Sequence, residues 1–349
     1  MNAAHFTGEV RAEIVQRFTV LDSSSSIPAM FEPFVDTTAR SLAPFLSRWI
    51  APPVVAERLA EELASSFALR SDPAWCAEVA ETMASHGRPD SEYSLRQLDL
   101  GWHGQVIAGI HFLGLDPAKP FVAIYGQSED LSGPGLQSAV DRLLDHFGPF
   151  QPGSVRLFVP GVESLDGFPP GTRPDQRLLV GHLAELCSLP RPPRFGDIEL
   201  RAMSDRGYER YLAACEQLFV DTPVMREMLE IEPRDGLSSC QACFEGWLTE
   251  SVEPGRRGDD EQSWAGLIAA RHDAAMGMTG HCMIEELLAR SVRGQGLGPA
   301  FQRHLIERIE PHGDGLLWGT IDARNHPSRK TAARVGRLDI GGWIFIPRQ

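Results

Sequence analysis

Apolar and polar positions change period several times along the chain, and the changes mark its elements. Trp264 to Arg271 and Gly277 to Ala289 are apolar runs of strand character, and Gly315 to Asp322 (GLLWGTID) is another. Runs of this kind, rich in β-branched and aromatic residues and bounded by Gly or Asn, predict buried strands. Between the second and third lies Arg293-Gly294-Gln295-Gly296-Leu297-Gly298, then Pro299 and a helix-like stretch from Ala300 to Glu310. Asn325-His326-Pro327-Ser328 opens a further helix over 326 to 335 that Gly336 closes, and Trp343 to Ile346 reads as a final strand. Upstream, Gly196 to Arg201 predicts a strand, and Ser204 caps a helix running to about Phe219. Val224 to Ile231 and Ser239 to Val252 predict more helix, and the polar stretch Glu250 to Ser263 predicts a loop.

The first half of the chain alternates less regularly. Ala39 to about His86 predicts helices broken at Pro44, Pro52, Pro53 and Pro73, followed by strands at Tyr93 to Leu100, Gln105 to Leu113 and Phe121 to Tyr125. A glycine-containing turn, Ser132-Gly133-Pro134-Gly135, then leads to a helix at Leu136 to Phe147 and a strand at Ser154 to Val159. The three prolines of Ser188 to Arg194 (SLPRPPR) deny the backbone the donors a regular element needs. They place a linker at 188–195 between an N-terminal α/β domain, 1–187, and a C-terminal domain, 196–349.

Composition narrows the class. With 349 residues, 42% of them hydrophobic, the chain can bury a sizeable core in two domains. A formal net charge of -14 argues against a general nucleic-acid-binding surface. Glu9, Arg11 and Glu13 interrupt any signal-peptide core, and no run approaches the roughly 18 apolar residues of a membrane span, so a soluble, cytoplasmic protein without membrane partners is expected. Six cysteines in this length make no disulfide framework. Cys240-Gln241-Ala242-Cys243 lacks a second ligand pair, and Cys240, Cys243, Phe244, Trp247 and Leu248 fit the core stripe of an amphipathic helix, so no metal site is assigned.

The glycine-rich segment carries the first chemistry. Its glycines allow tight turning with consecutive N–H groups exposed, and Pro299 suits a first helical turn, so an anion would sit on the helix's positive end. A dinucleotide fingerprint would need glycine at Pro299, and a P-loop would need Gly-Lys-Ser/Thr, so both common nucleotide readings weaken. Arg-x-x-Gly-x-Gly between strand and helix resembles the pyrophosphate loop of the GCN5-related N-acetyltransferase (GNAT) superfamily. A second motif follows about 30 residues on: Asn325 after the next strand, the small Ser328 three residues later, and Gly336 closing the helix.

The resemblance implies a mixed-sheet α/β fold in the order β-α-α-β-β-β-α-β-α-β over 196–349. One shortfall stands out: the family ends in two strands, and only 13 residues follow Gly336, so the last strand is missing, very short or supplied by the other domain. The N-terminal half repeats the helix, strand, glycine turn, helix and strand order without an arginine in its turn. That pattern is compatible with a degenerate second GNAT module in a tandem protein.

By the same resemblance the acyl donor is acetyl-CoA. It would be held by the backbone of Gly294, Gln295, Gly296, Leu297 and Gly298, by the side chains of Arg293, Asn325 and Ser328, and by strand pairing near Leu287, Leu288 and Ala289. Acyl transfer to an amine also needs a base and an acid. Glu285 and Glu286 lie on an apolar strand where burial would raise a carboxyl toward a useful base; as neighbours they face opposite sides, and the plainer reading is an ion pair with an arginine such as Arg290 or exposure to water. Where many family members carry a tyrosine, seven residues after the Asn, this chain has Ala332. Ser328, solvent or a tyrosine from the first domain would have to protonate the thiolate, unless it leaves unassisted. Residues 290 to 349 carry 5 acidic and 10 basic side chains, whereas 196 to 289 carry 19 and 8, so a basic cofactor half adjoins an acidic acceptor half suited to a small cationic amine. The expectation is an acyl-CoA-dependent N-acyltransferase, with a non-catalytic acyl-CoA sensor and an unrelated phosphate-binding α/β protein as alternatives, and a homodimer left open.

Overall fold

Proline sets the first turn of each of the opening helices, because its fixed φ suits that turn and its missing donor is not needed there. The computed structural model describes residues 31–83, 86–131, 133–161, 164–229, 231–249 and 263–349. Among the described residues helices α1 (Glu32–Leu46), α2 (Pro52–Arg70) and α3 (Pro73–Thr82) come first, and Asp72 caps α3 by accepting from the N–H groups of Ala74 and Trp75 at 2.8 and 3.2 Å. Pro44 does not break the chain as expected but lies inside α1, which ends only at Leu46.

The chain contacts divide into two units: residues up to Asp175 with Ala275–Met278 and Gly341–Gln349, and Gln176–Ala274 with Thr279–Ile340. This division falls before the expected linker, so 188–195 lies inside the second unit. The apolar side chains of Leu183 and Leu186 explain why, since they are buried against Ile306, Leu317 and Val335. The prolines mark a turn and not a boundary.

In the first unit β1 (Arg96–Asp99), β2 (Gln105–Phe112) and β3 (Pro120–Gln127) run antiparallel in sequence. Helix α4 (Leu136–His146) buries Leu136, Ala139, Val140, Leu143 and Leu144, the spacing of a single helix face. It returns the chain to β4 (Ser154–Pro160), which pairs parallel with β3.

The second unit takes residues 176–182 of β5 (Arg173–His182), then α5 (Leu183–Ser188), β6 (Ile198–Ala202), α6 (Asp205–Asp221), α7 (Arg234–Ser238) and β7 (Ala242–Leu248). Strands β8 (Trp264–Ala275) and β9 (Met278–Leu288), helix α8 (Gly298–Ile306), β10 (Leu316–Asp322) and α9 (His326–Arg334) follow. Within the unit the strands lie in the order β6-β7-β8-β9-β10-β5. Ser204 caps α6 as expected, accepting from Gly207 N–H at 3.1 Å while its hydroxyl donates to the buried Glu245 on β7 at 2.7 Å.

Two differences from the sequence expectation matter. Residues 242–248 form a strand and not a helix, paired antiparallel on both sides with β6 and β8. The spacing of Cys240, Cys243, Phe244 and Trp247 fits a helix equally well, but pairing on both edges overrides it. A Cβ at Gly246 would also run into the Phe301 ring, so the backbone of β7 approaches α8 closely. The second difference answers the shortfall at the C-terminus: the place beside β10 is filled by β5, antiparallel from Leu316↔His182 to Asp322↔Gln176. The final strand, β11 (Leu338–Pro347), meanwhile gives Gly341–Pro347 to the first unit, antiparallel to β4. Val224 to Ile231 forms only a 3-10 turn, Pro223–Glu227, and the loop expected from Glu250 onward lies outside the described residues up to 262. Among the described residues, no helix is long and apolar enough to cross a membrane, and no group of three or more His, Cys, Asp or Glu residues is placed to hold a metal ion.

Candidate functional site

Gly294 and Gly296 adopt φ of 75° and 77°, the left-handed region that glycine enters without strain, and no atom lies within 4 Å of where either Cβ would be. These two residues turn the chain from the end of β9 into α8. Leu297 at the N-cap offers no side-chain acceptor to the first turn. The N–H groups of Gly294, Gly296, Leu297, Gly298 and Ala300 meet no protein acceptor among the described residues, whereas Arg293 and Gln295 donate theirs to Arg290 and Val292 carbonyls at 3.4 Å. Four of the five expected backbone donors are therefore free, and Gln295 is the exception.

Arg293 was expected to reach the anion, yet its side chain turns inward. Nε donates to Leu288 O at 2.8 Å and Nη2 to Ala214 O at 3.2 Å, so the guanidinium ties the end of β9 to α6. Burial lowers its affinity for a proton. The cation on the loop is instead Arg194, whose Nη1 donates to Gln295 O at 2.8 Å. Nothing in the motif spacing pointed to it.

Beside the loop two parallel strands part. β9 and β10 pair only from Leu316↔Gly280 to Trp318↔Cys282, although β9 continues to Leu288 and β10 to Asp322. The result is a fork that opens toward the loop. Ala289 N–H donates to Ala265 O on β8 at 2.8 Å, so it is not available to a ligand. Alternation along the strand turns the N–H of Leu288 to the opposite edge, toward the fork, and leaves Leu287 facing β8 with Ala289.

The two carboxylates face opposite sides, as expected. Glu285 is buried under α6, where Tyr211 donates its hydroxyl to Oε2 at 2.6 Å and Glu286 N–H donates to Oε1 at 2.9 Å. Burial pushes the carboxyl up to about 7, and the two hydrogen bonds oppose the rise only in part. The Tyr211 hydroxyl is held strongly protonated by burial and by the adjoining carboxylate, and it accepts from Glu232 N–H at 3.0 Å. Glu286 faces α8 and accepts from Gln302 Nε2 at 2.5 Å, and burial raises it too to about 7. Neither pairs with Arg290, which meets Asp221 at 3.2 Å.

Asn325 is the N-cap of α9, accepting from Ser328 N–H at 3.3 Å, and the Ser328 hydroxyl makes no hydrogen bond among the described residues. One turn beyond Ser328, Thr331 lies so near α8 that a Cβ at Gly298 would come within 2.9 Å of its Oγ1. The sheet therefore separates Ser328 from Glu285, since α9 packs with α8 while Glu285 lies under α6, and of the two alternative bases only Glu286 shares a face with Ser328. Ala332, at the position of the family's tyrosine, is fully buried. Sequence reasoning missed two further residues. Tyr211 shares the buried spacing of Gly207, Cys215 and Phe219 and reads as plain core. Arg337 is 3% exposed, and both its Nε and Gln302 Oε1 are buried without a protein partner.

Strands β6 to β9, a glycine loop, a helix and a parallel strand that splays from its neighbour follow one another in the second unit, the order that the sequence resemblance implied. The first unit has a shorter series of the same kind, three antiparallel strands, a helix and a parallel return. No family model matches the chain, and no curated protein matches it. Among solved structures it is similar to a tandem GNAT protein from the clavulanic acid biosynthesis pathway, at 15% identity over 69% of this chain and 77% of that one, TM-score 0.38. It is similar to a GCN5-related N-acetyltransferase from Sphaerobacter thermophilus, at 15% identity over 78% and 92%, TM-score 0.37. A conserved protein of unknown function from Bacteroides thetaiotaomicron matches at 14% identity over 83% and 96%, TM-score 0.40. Likenesses of this degree say nothing about activity.

Proposed function

We propose that the protein is an acyl-CoA-dependent N-acyltransferase whose acceptor is a primary amine of a small molecule, an amino acid or a peptide. One observation carries this reading: a row of unpartnered N–H groups opens α8 beside a fork between two parallel strands. Such donors, backed by the helix dipole, suit a diphosphate, and the unpaired edge of β9 suits an extended arm with amide groups. When bound, the thioester supplies an activated acyl carbon and a thiol leaving group; acetyl-CoA is the donor the resemblance implies.

The chain's own residues account for most of the remaining needs. Leu288 N–H can donate to the arm, and Glu285 at about 7 can accept the proton that the amine gives up as its C–N bond forms. Ser328, half-buried at the start of α9, offers a hydroxyl to the cofactor, and because the sheet separates it from Glu285 the thiolate freed when the C–S bond breaks takes its proton from solvent. The net charge of -11 over 196–289 would draw a cationic acceptor toward the Glu285 side.

Thermal melting with added ligand tests the reading. CoA should raise the melting temperature while ATP and NAD do not. Gly296→Asp should erase that shift, because the carboxylate occupies the anion's place, and lower the unliganded melting temperature by a few degrees, the cost of a non-glycine residue at φ 77° whose Cβ meets no other atom. Unchanged CoA affinity in this variant would remove the site. The buried Ala332 in the tyrosine's place favours one alternative, a non-catalytic acyl-CoA sensor. Free-thiol release from acetyl-CoA or another short acyl-CoA that rises with added amines supports the enzyme; a flat rate across donors and diverse amines supports the sensor.

A further inference from the structure

A guanidinium keeps its charge at any physiological pH, so burying one without a counter-ion is costly. Arg337, just after α9, is in that position. It is 3% exposed, Nη2 donates to Leu179 O at 3.0 Å, Nε has no partner, and no carboxylate lies within ion-pair distance among the described residues. The acid whose charge acts on it is Glu286, which is already bonded to Gln302 and which burial holds near 7, so it is only a partial counter-charge at neutral pH.

Its position is specific. Nη2 would be 3.1 Å from a Cβ at Gly319, and so would Met283 Cβ; the missing side chain at Gly319 makes the room. Gly319 immediately follows Trp318, the last residue of β10 paired to β9, so the guanidinium stands at the vertex of the fork. It lies on the face where α8 and α9 pack, because Gly319 shares a face of β10 with Leu317, which joins Ile306 and Val335 there. The phosphate loop opens α8 on that same face. From Met283 to Leu288 the strand spans about 17 Å at roughly 3.4 Å per residue, so the diphosphate and Arg337 mark opposite ends of the arm.

Resting on the acyl-CoA reading, we infer that Arg337 receives an anionic end of the transferred acyl group, making the donor the CoA thioester of a short dicarboxylic acid and not acetyl-CoA. The carboxylate would meet the unpaired Nε–H at the vertex and complete the charge pair that the protein leaves open.

Isothermal titration of CoA, butyryl-CoA and succinyl-CoA tests this, the last two having acyl chains of matched length that differ in charge. Succinyl-CoA should bind roughly tenfold more tightly than butyryl-CoA, in line with one charge-assisted pair. Arg337→Gln should bring the ratio to about one with CoA affinity little changed, and Arg337→Lys should keep part of the preference. Equal binding of the two thioesters by a chain that binds CoA overturns this inference alone, as does a preference that survives in Arg337→Gln. Failure to bind any of the three overturns the acyl-CoA reading along with it. The natural chain decides the first comparison even if the glutamine variant does not fold.

Discussion

Glu285 is a carboxyl placed where its charged form is disfavoured. The Tyr211 hydroxyl and a backbone N–H both favour the anion, yet burial outweighs them and moves the group from 4.5 to about 7. Because the folded value lies above the unfolded one, the native state holds this proton more tightly. The resulting stability is fully present below about 4.5 and is lost as pH rises to about 7. Glu285→Gln should therefore melt higher than the natural chain at pH 8 and close to it at pH 5, while lowering amine-dependent turnover in the acyltransferase assay. A variant that melts lower at pH 8, or that keeps full turnover, would show that Glu285 is no strained base. The opposed facing of Glu285 and Glu286 was legible from strand alternation. The partners were not: Tyr211 sits at ordinary core spacing, and an arginine such as Arg337 gives no sign in sequence that it will be buried.

Among the elements, the loop and its helix were the most legible, because left-handed glycines followed by proline leave the backbone few alternatives. Asn325 was read as a cofactor contact, and the structure gives it a local task at the first turn of α9. Asn325→Ala should then cost about 1 kcal/mol in denaturant unfolding, the usual loss for an N-cap, whether or not CoA is present. A cost seen only with CoA bound would return the residue to the ligand. Strand β7 was misread since its apolar spacing serves either period, and tertiary pairing made the choice. β5 escaped notice entirely: half of it is charged or polar, and what identifies it is register with β10, more than a hundred positions away in sequence.

At the scale of the whole molecule, the two units are not consecutive stretches of chain. The fragment 196–349, which the proline-rich segment invites, omits the strand beside β10 and carries a β11 without β4. It should fail to unfold cooperatively in denaturant, with circular dichroism and gel filtration reporting a loose or aggregated chain. A sharp, reversible transition for that fragment would mean that β5 is dispensable. Gly341–Pro347 is synthesised after every residue of the second unit, yet it closes the edge of β4 in the first. On the ribosome, the half that emerges earliest is thus the one whose sheet must stay unfinished longest, its open edge exposed to unwanted strand pairing until the remainder has been translated.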